Sequence, residues 1–406
     1  THKADLGLLL SDVKRYKLLD YISGWFFKAS EYFNNHSGKA AFVSTNSITQ
    51  GEQVSILWPR VYEFNVEIDF AYRTFTWSNN AKNNAGVKVV IIGLSKKSTD
   101  KKKVIYDGAE VRSVENITPY LSDGETVIVS PETSSISGLP EIRFGSMANG
   151  ADLIFDSDKY QQLITKYPLA SKFFKKLVGS EEFINGWYRY ALWLDEDTLP
   201  AAQKIPEIKE SLENVKAYRE SSNRLATRKL AQTYFRFGEV RYKNQIAVLI
   251  PRVSSENRRY VPMGYITPDT VISDSAFAVY GAPLWLLAVL ESRMHMVWLE
   301  NIGGKLKSDY RYSAGLVYNT FPIPNLSTVR RNKLENLILE ILDLREELGG
   351  NLADLYSSRT MPEELAMLHN ELDSIVERAY SNQEFADNSK RLEVLLSLYK
   401  KLVRKG

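Results

Sequence analysis

The chain has 406 residues, no cysteine, only four histidines and a formal net charge of just +3. Without thiols there are no disulfides and no thiolate metal sites, a composition that suits a reducing cytoplasm. His2, His36, His295 and His369 lie far apart and lack ligand spacing, so no metal site is expected. The start, Thr1-His2-Lys3-Ala4, has neither the n-region nor the h-region of a secretory leader. Long apolar runs are missing too. The longest nearly uncharged stretch, Ser275–Leu290, is broken by Gly281-Ala282-Pro283 and falls short of a bilayer span, so no membrane partner is expected. Residues 1–95 carry no glycine-rich loop after a strand, which excludes a phosphate or dinucleotide cradle there.

Hydrophobic residues make up 44% and charged residues 25%, the balance of a soluble globular protein of two or three domains. Because the overall charge is small, any nucleic-acid role must come from local clustering. Such a cluster exists between Ser221 and Pro262. It holds Arg224, Arg228, Lys229, Arg236, Arg241, Lys243, Arg252, Arg258 and Arg259 against two carboxylates, Glu239 and Glu256. Tyr234, Phe235, Phe237, Tyr242 and Tyr260 are threaded among them, and Gly303–Tyr312 forms a second basic-aromatic strip. Clustered cations with interleaved aromatics mark a nucleic-acid surface; an ordinary solvated face is the alternative.

Taken in order, the first 95 residues alternate helix and strand. Helical spacing predicts a helix over Leu18–Phe33 with Leu19, Ile22, Trp25, Phe26, Ala29 and Tyr32 inward. A strand at Lys39–Asn46, a polar loop to Gln50, a helix at Gly51–Tyr62 and a strand at Val66–Phe75 follow. A hairpin at Asn79–Asn84 leads to Val87–Leu94, an apolar run of the kind buried on both faces. This is the pattern of the second half of a doubly wound sheet whose last strand turns back antiparallel. A half-sheet beginning at a helix implies a further part upstream or on another chain.

Lys96–Lys103 and Ser130–Gly138 have linker compositions and place a boundary between about 120 and 145. Beyond it the spacing predicts a helix over Tyr160–Leu177, a turn at Gly179–Gly186 and an aromatic run Trp187–Leu194. A long helix over Pro206–Thr233 and strands at Phe235–Arg241, Gln245–Val253 and Arg258–Ile266 come next. Pro283–Glu300 reads as a buried helix in which His295 and Met294/Met296 are packing residues. After Phe321-Pro322-Ile323-Pro324, three apolar stripes predict a three-helix bundle. The first runs Leu334 to Leu348, the second Leu365 to Val376 behind a Thr360 cap, and the third Leu392 to Leu402.

Five collinear stretches resemble the MmeI-like (type IIG/IIL) family of restriction–modification DNA adenine methyltransferases. They are Ala41–Gln53, Ala71–Asn79, Val178–Gly186, Lys305–Gly315 with Phe321-Pro322, and Met361–Leu365 with Leu372-Asp373 and Tyr380. The resemblance implies an α/β half-sheet over 1–125, part of the class I SAM-dependent methyltransferase fold. It implies an α+β target recognition domain over 126–325 and a helical C-terminal bundle over 326–406. S-adenosylmethionine would serve the full-length protein. Its glycine loop and the Asn-Pro-Pro-Tyr/Phe tetrapeptide would precede residue 1, so no bound cofactor is expected here and no catalytic residue is carried over.

Double-stranded DNA is the implied partner. Glu239 and Arg241, with Lys243 close by, look like the family's base-reading residues. Arginine can donate to guanine O6 and N7, and a carboxylate can accept from cytosine N4. A surface salt bridge between Glu239 and Arg241 is the alternative. Arg224 and Arg228 on one helix face, Lys229, Arg258, Arg259, Lys305, Lys307 and Arg311 are assigned to phosphates. Phe75 and Trp77 are candidates for the pocket of a rotated-out base, with core packing as the alternative. Two other classes stay open: a stand-alone DNA specificity subunit, and an interaction module whose basic strip meets an acidic protein.

Overall fold

The structure, a computed structural model, describes residues 2–77, 86–98 and 102–404. The expected hairpin Asn79–Asn84 and residues 99–101 of the Lys96–Lys103 loop lie outside the described residues. The chain forms two compact units, one from Thr1–Leu139, Ser292–Ser327 and Asp373–Gly406, the other from Pro140–Glu291 and Thr328–Leu372.

The first unit opens with α1 (His2–Leu10) and α2 (Ser23–Asn35), followed by β1 (Lys39–Thr45), α3 (Glu52–Tyr62), β2 (Val66–Trp77), β3 (Val87–Lys96), β4 (Lys103–Asp107) and β5 (Glu110–Val114). The sheet order is β1-β3-β2-β4-β5. The apolar run makes β3 an inner strand, antiparallel to both β1 and β2, as its two-sided burial requires. β4 runs parallel to β2, and β5 returns antiparallel. α2 begins five residues later than expected and turns Phe26, Phe27 and Phe33 inward. Trp25 and Tyr32, expected inside, are 53% and 56% exposed, because they lie off the stripe that Phe26 and Phe33 define.

The second unit contains two sheets. Its elements are β6 (Ile142–Phe144), β7 (Ile154–Phe155), α4 (Ser157–Lys166), β8 (Phe174–Val178), α5 (Ser180–Asn185), β9 (Arg189–Leu192), α6 (Leu199–Ala202), α7 (Pro206–Glu220), α8 (Leu225–Lys229), β10 (Ala247–Pro251), β11 (Val253–Ser254), β12 (Gly264–Ile266), β13 (Thr270–Ile272), β14 (Ala276–Tyr280) and α9 (Leu284–Leu290). One sheet, β12-β10-β14-β6, is antiparallel throughout; the other, β13-β8-β9-β7, has β13 parallel to β8.

Several expectations fail here for local reasons. The helix expected over Tyr160–Leu177 ends at Lys166, because Pro168 disfavours helical backbone at Tyr167; Phe174–Val178 is a strand. The expected turn at Gly179–Gly186 is the helix α5, closed by Gly186 at φ 75°. Glu182 accepts from the Gly179 amide at its start. The helix expected over Pro206–Thr233 breaks after Glu220 and resumes at Leu225. Of Arg258–Ile266, only Gly264–Ile266 is strand. The expected helix Pro283–Glu300 is two helices, α9 and α10 (Arg293–Ile302), parted at Glu291-Ser292, where the Ser292 side chain caps α10.

In the first unit α10 leads to a hairpin of β15 (Gly304–Leu306) and β16 (Asp309–Arg311). The C-terminal stripes form α11 (Thr328–Leu348), α13 (Glu363–Tyr380) after the short α12 (Leu352–Leu355), and α14 (Asn388–Val403). α11 packs on α9 in the second unit and α14 on α10 in the first, where Arg391 of α14 also pairs with Glu377 of α13 at 2.8 Å. Thr360 does not cap α13; its hydroxyl donates to the Asp354 carbonyl. His295 and His369 are fully buried, each bonded to a tyrosine hydroxyl, Tyr312 and Tyr356. Burial pushes both imidazoles down to about 3, so they are neutral packing groups. No helix of the described residues is long and apolar enough to cross a membrane.

Candidate nucleic-acid interface

The Glu239–Arg241 pair is built on a buried arginine that the sequence reading passed over. Arg219, near the end of α7, is fully buried. Its guanidinium donates to the carbonyls of Ala148 (2.7 Å), Asn149 (3.0 Å), Leu230 (3.0 Å), Thr233 (3.0 Å) and Arg236 (2.8 Å). Turning three carbonyls from 230–236 onto one side chain is incompatible with a strand ladder. Phe235–Arg241, read as a strand, instead follows a 3-10 turn, Leu230–Thr233, as irregular backbone with one bridge, Met147 to Glu239. The same contacts tie this loop to 148–149. Gly238 passes so close that a Cβ would meet the Asn149 amide at 2.4 Å.

From this anchor Glu239 exchanges backbone hydrogen bonds with Met147, both at 3.0 Å. The Ser146 hydroxyl accepts from the amides of Arg241 (3.0 Å) and Tyr242 (3.2 Å). Arg241 Nη1 donates to the Gly145 carbonyl at 3.0 Å, while Nη2 pairs with the Glu239 carboxylate. The two side chains, 30% and 42% exposed, therefore meet although the segment is not a strand. Gly145 permits this geometry: a Cβ there would lie 2.2 Å from the Ser273 carbonyl oxygen. Val240, between the pair, projects to solvent and borders a cavity of about 240 Å³ with Trp193, Asp195 and Phe237. Lys243 is exposed, its ammonium 5.7 Å from the Tyr280 ring centre.

Two further residues join this surface. Phe144, at the end of the edge strand β6, is 41% exposed. The Arg241 guanidinium lies 5.7 Å from its ring centre and that of Arg252 lies 4.9 Å away. Phe144 carried no sequence signal beyond a lone aromatic, and Arg252 was one cation among nine.

The phosphate-assigned cations behave differently. Arg224 is extended backbone just before α8, so it does not share a helix face with Arg228 as expected. Arg228 donates to the Ser222 carbonyl at 2.6 Å, and Arg224, Arg228 and Lys229 are all exposed. Arg258 and Arg259 are half-buried, bonded to Ser254 and Asn370. Lys305, Lys307 and Arg311 belong to the β15–β16 hairpin of the first unit. Lys305 lies 4.7 Å from the Tyr310 ring centre, and Lys307 and Arg311 are exposed.

Phe75 and Trp77 end β2 and are 36% and 43% exposed, which rules out the core-packing alternative. In the same unit a polar cavity of about 370 Å³ is lined by Gln50, Arg73, Asp107, Glu300, Lys305 and Asn388, among others. It sits at the carboxyl ends of β1, β2 and β4, where open α/β sheets bind ligands. Arg73 pairs with Asp107 at 2.9 Å. Burial raises the Glu300 carboxyl above its usual range despite the opposing pull of Arg293 and Tyr310.

The chain matches the family described as "MmeI, DNA-methyltransferase domain" over residues 1–107, "MmeI, target recognition domain" over 123–325 and "MmeI, C-terminal domain" over 326–405. It is 49% identical over 405 residues to "DNA methyltransferase A" of Bacillus subtilis (strain 168), spanning all of this chain and 46% of that protein. A solved structure of the type IIL restriction-modification enzyme MmeI in complex with DNA superposes with a TM-score of 0.89 at 36% identity. The match covers 99% of this chain and 55% of that one, so the chain spans about half the length of the relatives it matches.

Proposed function

The chain belongs to the MmeI family of restriction–modification DNA methyltransferases, and we propose that it selects the sequence at which a SAM-dependent adenine-N6 methyltransferase acts. On this reading residues 1–125 are the C-terminal half of the methyltransferase domain, 126–325 the target recognition domain and 326–406 a helical domain. The reversed strand β3 between parallel β1 and β2 supports the first assignment, as the end of a doubly wound sheet with an inserted antiparallel strand.

The observation that carries the proposal is the Glu239–Arg241 pair, held in register by Gly145, Ser146 and Met147. A pre-oriented acid and base can accept from cytosine N4 and donate to guanine O6 and N7, reading both members of one G·C pair. Lys243 extends the same edge. Arg224, Arg228, Lys229, Arg258, Arg259, Lys305, Lys307 and Arg311 hold phosphates, which fix register without reading sequence. Phe75 and Trp77 face the rotated-out adenine.

The methyl donor of such a family is S-adenosylmethionine. Among the described residues no strand of the N-terminal sheet is followed by a glycine-rich loop, and the backbone after β1 is a 3-10 turn, Asn46–Thr49. We assign no residue of this chain to the cofactor and derive no chemical step through it. The test is binding of matched and scrambled duplexes at two salt concentrations. A preference that survives at the higher salt is expected. Equal binding of both duplexes at both salts would overturn the reading.

A further inference from the structure

We propose that Arg252 is a second guanine-reading residue, acting on a base pair next to the one read by Glu239 and Arg241, with Phe144 holding both guanidiniums in place. The proposal rests on the functional reading above and extends it to residues outside the basic-acidic pair.

Arg252 follows Pro251 at the end of β10, and its amide donates to the Ser180 hydroxyl at 3.0 Å. Its side chain is also fixed. Nη1 donates to the Asp274 carbonyl at 2.7 Å, and the guanidinium lies 4.9 Å from the ring centre of Phe144 and 5.9 Å from that of Phe277. The two rings are themselves in contact at 4.7 Å, so the aromatic platform is a packed pair. The Asp274 carbonyl takes Nη1, and the Nε–Nη2 edge is the one assigned to the ligand. That edge is the fork that meets guanine O6 and N7.

Phe144 gives the geometry a second feature. Its one ring lies within cation–π range of both Arg241 and Arg252. The shared ring brings the two guanidiniums to one patch of the surface, as neighbouring base pairs would need. The two differ in occupation. Arg241 is held by the Glu239 carboxylate, whereas the polar bond of Arg252 is to a carbonyl. Arg241 must therefore exchange part of a salt bridge for a base, and Arg252 need not. A phosphate accepts a guanidinium or an ammonium without a fixed orientation, whereas a base edge needs the planar fork held in one place.

The test is selection of bound sequences from a randomised duplex pool by the whole chain, as wild type, Arg252→Lys, Arg252→Gln and Phe144→Leu. Wild type should require guanine at a position adjoining the Glu239–Arg241 pair. Arg252→Lys and Arg252→Gln should lower that preference by about 10-fold or more while leaving the neighbouring position intact. Phe144→Leu should weaken both positions together. Arg252→Lys is the informative variant because it keeps the charge and loses only the planar fork. If Arg252→Lys binds with the wild-type profile, or Arg252→Gln weakens all sequences equally and lowers the salt slope, Arg252 is a phosphate contact and the proposal falls. A wild-type chain with no preference at all would overturn the functional reading and this inference with it, and is told apart because the unmutated chain fails.

Discussion

The cations of the second unit fall into two groups that share a sequence signature and differ in surroundings. Arg219, Arg241 and Arg252 are each fixed through hydrogen bonds to backbone carbonyls. Arg224, Lys229 and, in the first unit, Lys307 and Arg311 stand exposed on a short helix or a hairpin. Arg219 is spent wholly on the backbone, whereas Arg241 and Arg252 reach the surface with their rotamer freedom already lost, so on the proposed reading docking costs them little more entropy. The second group must still lose it, and gains mostly from counterion release. On the proposed function, charge density in the sequence gives the footprint, while anchoring would decide which cations discriminate between bases.

The comparison breaks most violently at Arg219. Replacing it by Met removes all five hydrogen bonds that its buried guanidinium donates to backbone carbonyls, and a loss of at least about 3 kcal/mol is expected in urea unfolding. Loss of all sequence preference at temperatures where the chain stays folded should accompany it. A stable, fully discriminating Arg219→Met variant would show that the staple is not what positions Glu239 and Arg241.

Arg345 offers a contrast in anchoring, since it is buried against a carboxylate, Glu291, at 3.3 Å. Burial raises the Glu291 carboxyl to about 7, against the opposing pull of Arg345. The native state therefore holds that proton more tightly than the unfolded chain. The contribution to stability is complete below pH 4.5, declines as pH rises to about 7 and is constant above that. Glu291→Gln should remove about 3 kcal/mol of this pH dependence, read as the difference between variant and wild-type stability across that range. Parallel stability profiles for the two proteins would refute the assignment.

At the reading pair the expected effect is smaller in energy and different in kind. Exchanging the charges, Glu239→Lys with Arg241→Asp, should change the preferred base pair, with the former site now bound about 10-fold to 100-fold more weakly. Selection and sequencing of bound duplexes checks it. An unaltered preferred sequence would mean the pair is only a surface salt bridge.

The smallest effects belong to the free cations. Lys307→Ala and Arg224→Ala should each weaken binding of every sequence alike and reduce the slope of log affinity against log salt by about 0.9. A change in the preferred sequence from either variant would erase the distinction between anchored and free cations.

How far the chain alone revealed this depends on the range of the forces involved. The strand Val87–Leu94 was legible because six apolar residues in a row have few other fates, and the helical stripes at Leu334, Leu365 and Leu392 because periodicity is local. Glu239 and Arg241 were legible as a pair, and they do meet. The strand supposed to aim them was wrong, since Arg219 captures the carbonyls of Leu230, Thr233 and Arg236, 11, 14 and 17 residues further along the chain. Phe144 and its contact with Arg252 went unnoticed because 108 residues separate two groups that only the pairing of β6 with β14 and of β14 with β10 brings to one surface.

The sequence by itself determined the alternation of the N-terminal sheet, the position and sign of the basic strip, the absence of thiol chemistry and the family. Those properties follow from composition and short-range periodicity, which act within a few residues of each other. Tertiary structure alone decided which arginines are fixed and which are free, where the C-terminal helices bury their stripes, and that Phe75 and Trp77 face solvent. Each of these depends on which distant carbonyl, ring or helix face folding brings to a side chain, and no local pattern encodes that.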